Sequence, residues 1–356
     1  MDIEKYYNSD KTALIFEDDY NISIRRIKFP ETLQSIKFGY HFNRSLEHVK
    51  FPKNLQTLDL GFKFDHSIIN VTFPTNLQSL NLGYHYNKPI KNIKFPINLR
   101  KIHFGKDFNK PIEYIEFPTS LLEIVLSDDF NQPIENIKFP DNLQIIDFGW
   151  EFNHDITNIK FPDSIQEIDL GYHFNKPIEN IKFPESLQKI DFGWKFNQPI
   201  NNIKFPDNLQ KIDFGCHYNQ SIDHVKFPKN LKSISLGNKF NQSLCHLPPY
   251  IKKLAIHNIN NANEIPKSIT NICYVYNDDD KYEINNLPNI ITRINIEFID
   301  IDNNLEYKSS SEFMTNLPSS ITKIKLNIKT EDIIHKLIKI PYGCIIIDKD
   351  HKEIII

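Results

Sequence analysis

The sequence predicts a β-rich, right-handed β-solenoid with two short parallel strands per 22-residue coil, and three observations predict it. Phe-Pro recurs with its proline at Pro30, Pro52, Pro74, Pro96, Pro118, Pro140, Pro162, Pro184, Pro206 and Pro228, a fixed step of 22 residues. Nine of the ten glycines keep that step between Gly39 and Gly237, Ser127 filling the one gap and Gly343 lying outside. An aromatic-Asn pair follows each glycine position, as in Phe42-Asn43, Tyr86-Asn87 and Phe196-Asn197, with Asp65 once in place of Asn. Self-similarity at this period marks stacked coils that share one continuous core. Parallel strands joined by such crossovers turn right-handed.

The elements follow in order. Residues 1–11 are left for an N-terminal cap, because Leu14, Phe16, Tyr20, Asn21, Ile24, Ile27 and Phe29 are already in phase. Residues 12–245 are the regular repeats. In one of them Leu187, Ile190 and Phe192 form a first L-x-x-I-x-F set, and Ile200, Ile203 and Phe205 a second. Each set ends in an alternating I-x-F, which suits a short strand with one buried face. Gly193 closes the first strand, where a positive φ costs glycine little. Pro206 closes the second, because it has no N–H for a ladder. The Phe of Phe-Asn fills the bend, and its Asn bonds turn backbone in its own coil or the next.

Residues 246–341 are degenerate repeats of the same solenoid, with turns at Pro248, Pro266, Pro288, Pro318 and Pro341. Several lead into first-type strands: Ile269 to Ile272, Ile291 to Ile294, and Ile321 to Ile324. Asp300 to Asn316 is polar and is expected to loop out. Thr330 can cap a short helix with Glu331 and Asp332 in its first turn and Ile333, Ile334, Leu337 and Ile338 on its apolar face. Residues 342–356 form a C-terminal cap, a hairpin of Ile345-Ile346-Ile347 and Ile354-Ile355-Ile356, since the open end of a strand stack invites further pairing.

Composition narrows the function classes. A net charge of -3 argues against nucleic-acid binding through a broad basic surface. The four cysteines, Cys216, Cys245, Cys273 and Cys344, have neither metal-type spacing nor the repeat period, which fits free thiols in a reducing compartment. The N-terminus lacks a signal-peptide pattern and no apolar run reaches membrane-helix length. The expected location is cytoplasmic, or host cytoplasm for a viral protein, with no membrane contact.

Candidate sites come as columns. Between Ile and Phe of the first strand stand Lys37, Asp59, Asn81, His103, Val125, Asp147, Asp169, Asp191, Asp213 and Ser235, facing solvent. Asp147, Asp169, Asp191 and Asp213 make either an acidic face for a basic partner or a solvated ladder that limits aggregation. The matching position of the second strand is mostly Lys (Lys28, Lys50, Lys94, Lys138, Lys160, Lys182, Lys204, Lys226), so the two sheets are expected to differ in sign on their outer faces. After the glycine come Tyr40, Phe62, Tyr84, Trp150, Tyr172 and Trp194, broken by Lys106 and Asp128. Stacked aromatics pack on one another, and Tyr and Trp are also favoured at interfaces. Trp150, Tyr172 and Trp194 adjoin the aspartates and complete the candidate partner-binding surface. His41, His85, His173 and His217 mostly lie two or more coils apart, too far to share a metal. No catalytic constellation stands out from the periodic background, so no catalytic residue, cofactor or metal is expected.

The motif Phe-Asn-x-Pro-Ile, at Phe108 to Ile112, Phe130 to Ile134, Phe174 to Ile178 and Phe196 to Ile200, resembles the FNIP-repeat proteins of social amoebae and amoeba-infecting giant viruses. That family is a leucine-rich-repeat variant, and the two half-repeats also look like leucine-rich coils of bacterial surface proteins. The resemblance covers residues 12–245 strongly and implies a leucine-rich-repeat-like interaction scaffold. Some members carry an F-box or kinase domain ahead of the repeats; eleven residues cannot fold as either, so those activities are not carried over. The expected function is non-enzymatic protein–protein interaction, with a carbohydrate- or surface-binding adhesive repeat as the alternative.

Overall fold

The computed structural model describes residues 3–256, 262–276, 287–298, 313–314, 317–327 and 337–355. Among the described residues it is a β-solenoid of about 13 turns of about 22 residues with nearly no helix. Two compact units, residues 1–193 and 194–356, divide the chain.

The first unit stacks nine three-residue strands: β1 (Ala13–Ile15), β2 (Ser35–Lys37), β3 (Thr57–Asp59), β4 (Ser79–Asn81), β5 (Lys101–His103), β6 (Glu123–Val125), β7 (Ile145–Asp147), β8 (Glu167–Asp169) and β9 (Lys189–Asp191). Each pairs in parallel with the next, shifted by one whole coil. The middle residue of every strand is Leu or Ile at 0–1% exposure, because only that side chain of the three points inward. Full burial of each is worth about 1.5–3 kcal/mol. Before the first strand, Tyr7 bridges Leu14, and the Tyr6 ring lies 5.2 Å from Phe16.

The second unit continues with β10 (Lys211–Asp213), β11 (Ser233–Leu236), β12 (Lys253–Ile256), β13 (Asn271–Tyr276), β14 (Arg293–Phe298), β15 (Phe313–Met314), β16 (Lys323–Leu326), β17 (Leu337–Ile338), β18 (Ile345–Ile347) and β19 (Glu353–Ile355). The ladder β10–β11–β12–β13–β14–β16–β18 is parallel, and β19 folds back antiparallel on β18. Strands thus follow each of the degenerate Ile-Thr-x-Ile sets named from the sequence. One expectation fails here. Leu337 and Ile338 do not form a helix face: they are strand β17, parallel to β15. A tertiary partner overrides a weak local period. The rest of that expected helix lies outside the described residues, as do residues 300–312 and 315–316 of the expected loop.

The second strand of each regular coil is also corrected. Among the described residues the I-x-F-P half carries no strand. It is built from two β-turns: in one coil Ile203 N–H donates to Ile200 C=O at 3.1 Å, and Leu209 N–H to Pro206 C=O at 3.1 Å. Those turns use the donors locally, proline supplies none, and Lys204 and Phe205 alone are too few for a ladder. There is therefore one charged strand face, and the eight lysines stand exposed on the turn side.

Two interior columns lock coil to coil. The Phe-Asn aromatics are buried, with ring centroids 6.2 Å apart for Phe42–Phe64 and Phe152–Phe174. Beside them each Asn side-chain oxygen accepts the backbone N–H of the equivalent residue one coil on, as Asn153 does from Asn175 at 3.0 Å. Asp65 does the same from Asn87 at 3.0 Å and also holds Lys88 at 2.6 Å.

Candidate functional site

The parallel register sets Asp147 beside Asp169 and Asp169 beside Asp191 in the first unit. Asp213 and Trp194 belong to the second unit. The aspartates are half-buried, not solvent-facing as expected. The reason is a bond that the sequence reading missed. Each accepts the N–H of the glycine two residues on: Asp147 from Gly149 at 2.8 Å, Asp169 from Gly171 at 2.9 Å, Asp191 from Gly193 at 2.9 Å, Asp213 from Gly215 at 3.1 Å. Asp59 and Asn81 do likewise at 3.0 Å. This is an Asx turn, and the D-x-G spacing was its visible signal. The column builds turns before it does anything else.

The Asp147 carboxyl is perturbed. Burial, and then the neighbouring Asp169 charge, push the Asp147 carboxyl up to about 6, although the Gly149 N–H favours the anion. Lys189, bonded to Glu167 at 3.2 Å, lowers the negative potential only in part.

The aromatics form two separate stacks in the first unit. Tyr40, Phe62 and Tyr84 stack at 4.4 and 4.2 Å, and Lys106 ends the run with its ammonium 5.5 Å from the Tyr84 ring. Trp150 and Tyr172 stack at 5.8 Å, with Trp150 58% exposed and Tyr172 half-buried. Trp194 is half-buried in the second unit. Ser127, at the missing glycine, is buried and donates its hydroxyl to the Phe108 carbonyl, so its role is local packing. Among the described residues no group of three or more His, Cys, Asp or Glu is placed to hold a metal ion.

What this arrangement offers is a surface: an exposed indole, a stacked phenol and a carboxylate row held rigid by turns. The sequence description of a BspA type leucine rich repeat region matches in six copies, over residues 19–127 and 127–245. Among solved structures, CroV588, a novel circular LRR protein from a giant virus, is 24% identical with a TM-score of 0.53; the match covers 91% of this chain and 57% of CroV588. The chain thus spans less than two thirds of that protein. An internalin (inlF) from Listeria monocytogenes is 17% identical with a TM-score of 0.53, over 74% of this chain and 80% of its own. These two likenesses are of fold. No curated protein matches the chain.

Proposed function

Because the chain belongs to the BspA-type leucine-rich repeat family, we propose that it is a non-enzymatic scaffold that binds another protein, as an FNIP-type variant of that family working in the cytoplasm. Repeats of this kind generally serve as protein–protein interaction scaffolds. The observation that carries the reading is Trp150, 58% exposed on a rigid turn and stacked on Tyr172. An indole held in place binds with little loss of side-chain freedom. Asp147, Asp169 and Asp191 give the same unit an acidic row suited to a basic partner. In the second unit Asp213 and Trp194 repeat the pairing of residue types.

Affinity purification with mass spectrometry tests the proposal, followed by titration of the recovered partner. Trp150→Ala is expected to weaken binding by about tenfold or more, and Asp169→Lys with Asp191→Lys to weaken it further. Unchanged affinity in both variants removes this surface from consideration. The adhesive alternative predicts specific signals on a glycan array and no protein partner. Among the described residues no helix is long and apolar enough to cross a membrane.

A further inference from the structure

The first coil carries a basic groove that breaks the repeat. Of the two residues after the first buried Ile or Leu of the turn half, at least one is acidic or amide in every other regular coil, as in Glu113-Tyr114, Glu135-Asn136 and Asn201-Asn202. In the first coil they are Arg25 and Arg26, two of only five arginines in the chain. With Lys11 and Lys28 they line a groove of about 1180 Å³. Ile27 and Phe29 supply apolar wall. Among the described residues Glu4 is the one carboxylate in the lining, and Lys11 already holds it at 2.6 Å. Both arginines are exposed, and among the described residues neither guanidinium has a carboxylate within salt-bridge distance.

The same place in the second unit makes an instructive contrast. A groove of about 860 Å³ there is lined by Lys204, Lys226 and Lys229, but it has Asn201 and Asn202 at the arginine positions and includes Asp207. Lysines on the turn side are therefore common to the coils, while the paired guanidinium forks are confined to the first. A guanidinium fork matches the two oxygens of a carboxylate, which an ammonium cannot do. The groove is larger than the ~300–1,000 Å³ usual for a small ligand. Its apolar wall suits peptide side chains, and a chain of net charge -3 lacks the broad positive field of a polynucleotide binder.

We propose that this groove binds an extended acidic peptide segment of a protein partner, with Arg25 and Arg26 each clasping a carboxylate. The inference rests on the reading of the chain as a protein-binding scaffold, and it adds a second contact surface to that of Trp150. The test is fluorescence anisotropy of the full chain at low salt, with a short labelled peptide of alternating Glu and Ala. Saturable binding is expected, weakened at least about tenfold by Arg25→Glu with Arg26→Glu. Arg25→Lys with Arg26→Lys keeps the charge and loses the forks, and is expected to fall in between. Lys204→Glu with Lys226→Glu is expected to leave affinity within about twofold of wild type. All these sites are exposed, and unchanged melting temperatures will show that the variants fold. The inference is overturned by absent or non-saturable binding, by equal binding in the Arg-to-Glu variant, or by a short polyuridylate competing equally well. If the peptide fails but a purified partner still binds, the groove is excluded and the scaffold reading stands.

Discussion

Asp147 shows how one residue holds two roles that pull apart. Its oxygen fixes a turn through Gly149, yet burial and Asp169 raise its carboxyl to about 6. The folded state therefore holds the proton more tightly than the unfolded chain. That contribution to stability is complete below the ordinary value of 3.8 and is lost as pH rises to about 6. Asp147→Asn keeps the acceptor, as Asn81 does for Gly83, and removes the charge. It is expected to melt higher than wild type at pH 8 and equally at pH 3. Asp147→Ala loses the acceptor, leaves a half-buried N–H unpaired, and is expected to cost about 1–3 kcal/mol at low pH. Glycine offers a second residue-scale contrast. Gly171 has φ +86°, and a Cβ there would overlap the Gly149 carbonyl oxygen; Gly343 has φ +77° with nothing within 4 Å. Gly343→Ala is expected to cost about 1 kcal/mol, and Gly171→Ala several times more, by chemical denaturation. Tyr86 and Tyr218 replace Phe in the buried column, and their hydroxyls have no partner among the described residues. Tyr86→Phe is expected to raise stability by about 1 kcal/mol.

At the scale of the element, the strand of the first half-repeat was legible and the turns of the second were not. Leu187 to Gly193 and Ile200 to Pro206 share the same alternation, so hydrophobic period alone assigns a strand to both. What separates them is donor accounting: Ile203 N–H is taken inside its own turn and Pro206 has none. The Asn column was legible because its side chain has few other uses at that spacing. It is also a coupling between elements, since one oxygen joins two coils. Asn153→Ala is expected to destabilise by about 1–3 kcal/mol and Asn153→Asp by far less, on the precedent of Asp65. Thermal melts of the two variants measure the difference. The D-x-G turn was equally visible in the sequence, but the aspartates were read as a surface, and the local bond was overlooked. Arg25 and Arg26 escaped notice for the opposite reason: a reading that follows columns passes over the coil that departs from them.

For the whole molecule, stability in each unit is a sum of coil terms and neighbour terms, because a coil touches little beyond the next. The partner surface was legible only as residue types; exposure of Trp150 and enclosure of the aspartates came from the stacking. Removing residues 154–175 would rejoin Asn153 to Lys176, an Asn-Lys step that Asn87-Lys88 already supplies. That shortened chain is expected to keep a strand-dominated circular dichroism spectrum and a cooperative melt. Removing one residue fewer puts the glycine and asparagine columns out of phase and is expected to lower the melting temperature further. The columns of carbonyl-facing glycines and bridging asparagines thus act as a tally stick. Gene-level duplication or loss survives here only in integer copies, so relatives of this protein will differ in length by multiples of the repeat, with the odd remainder confined to the segments beyond Leu244.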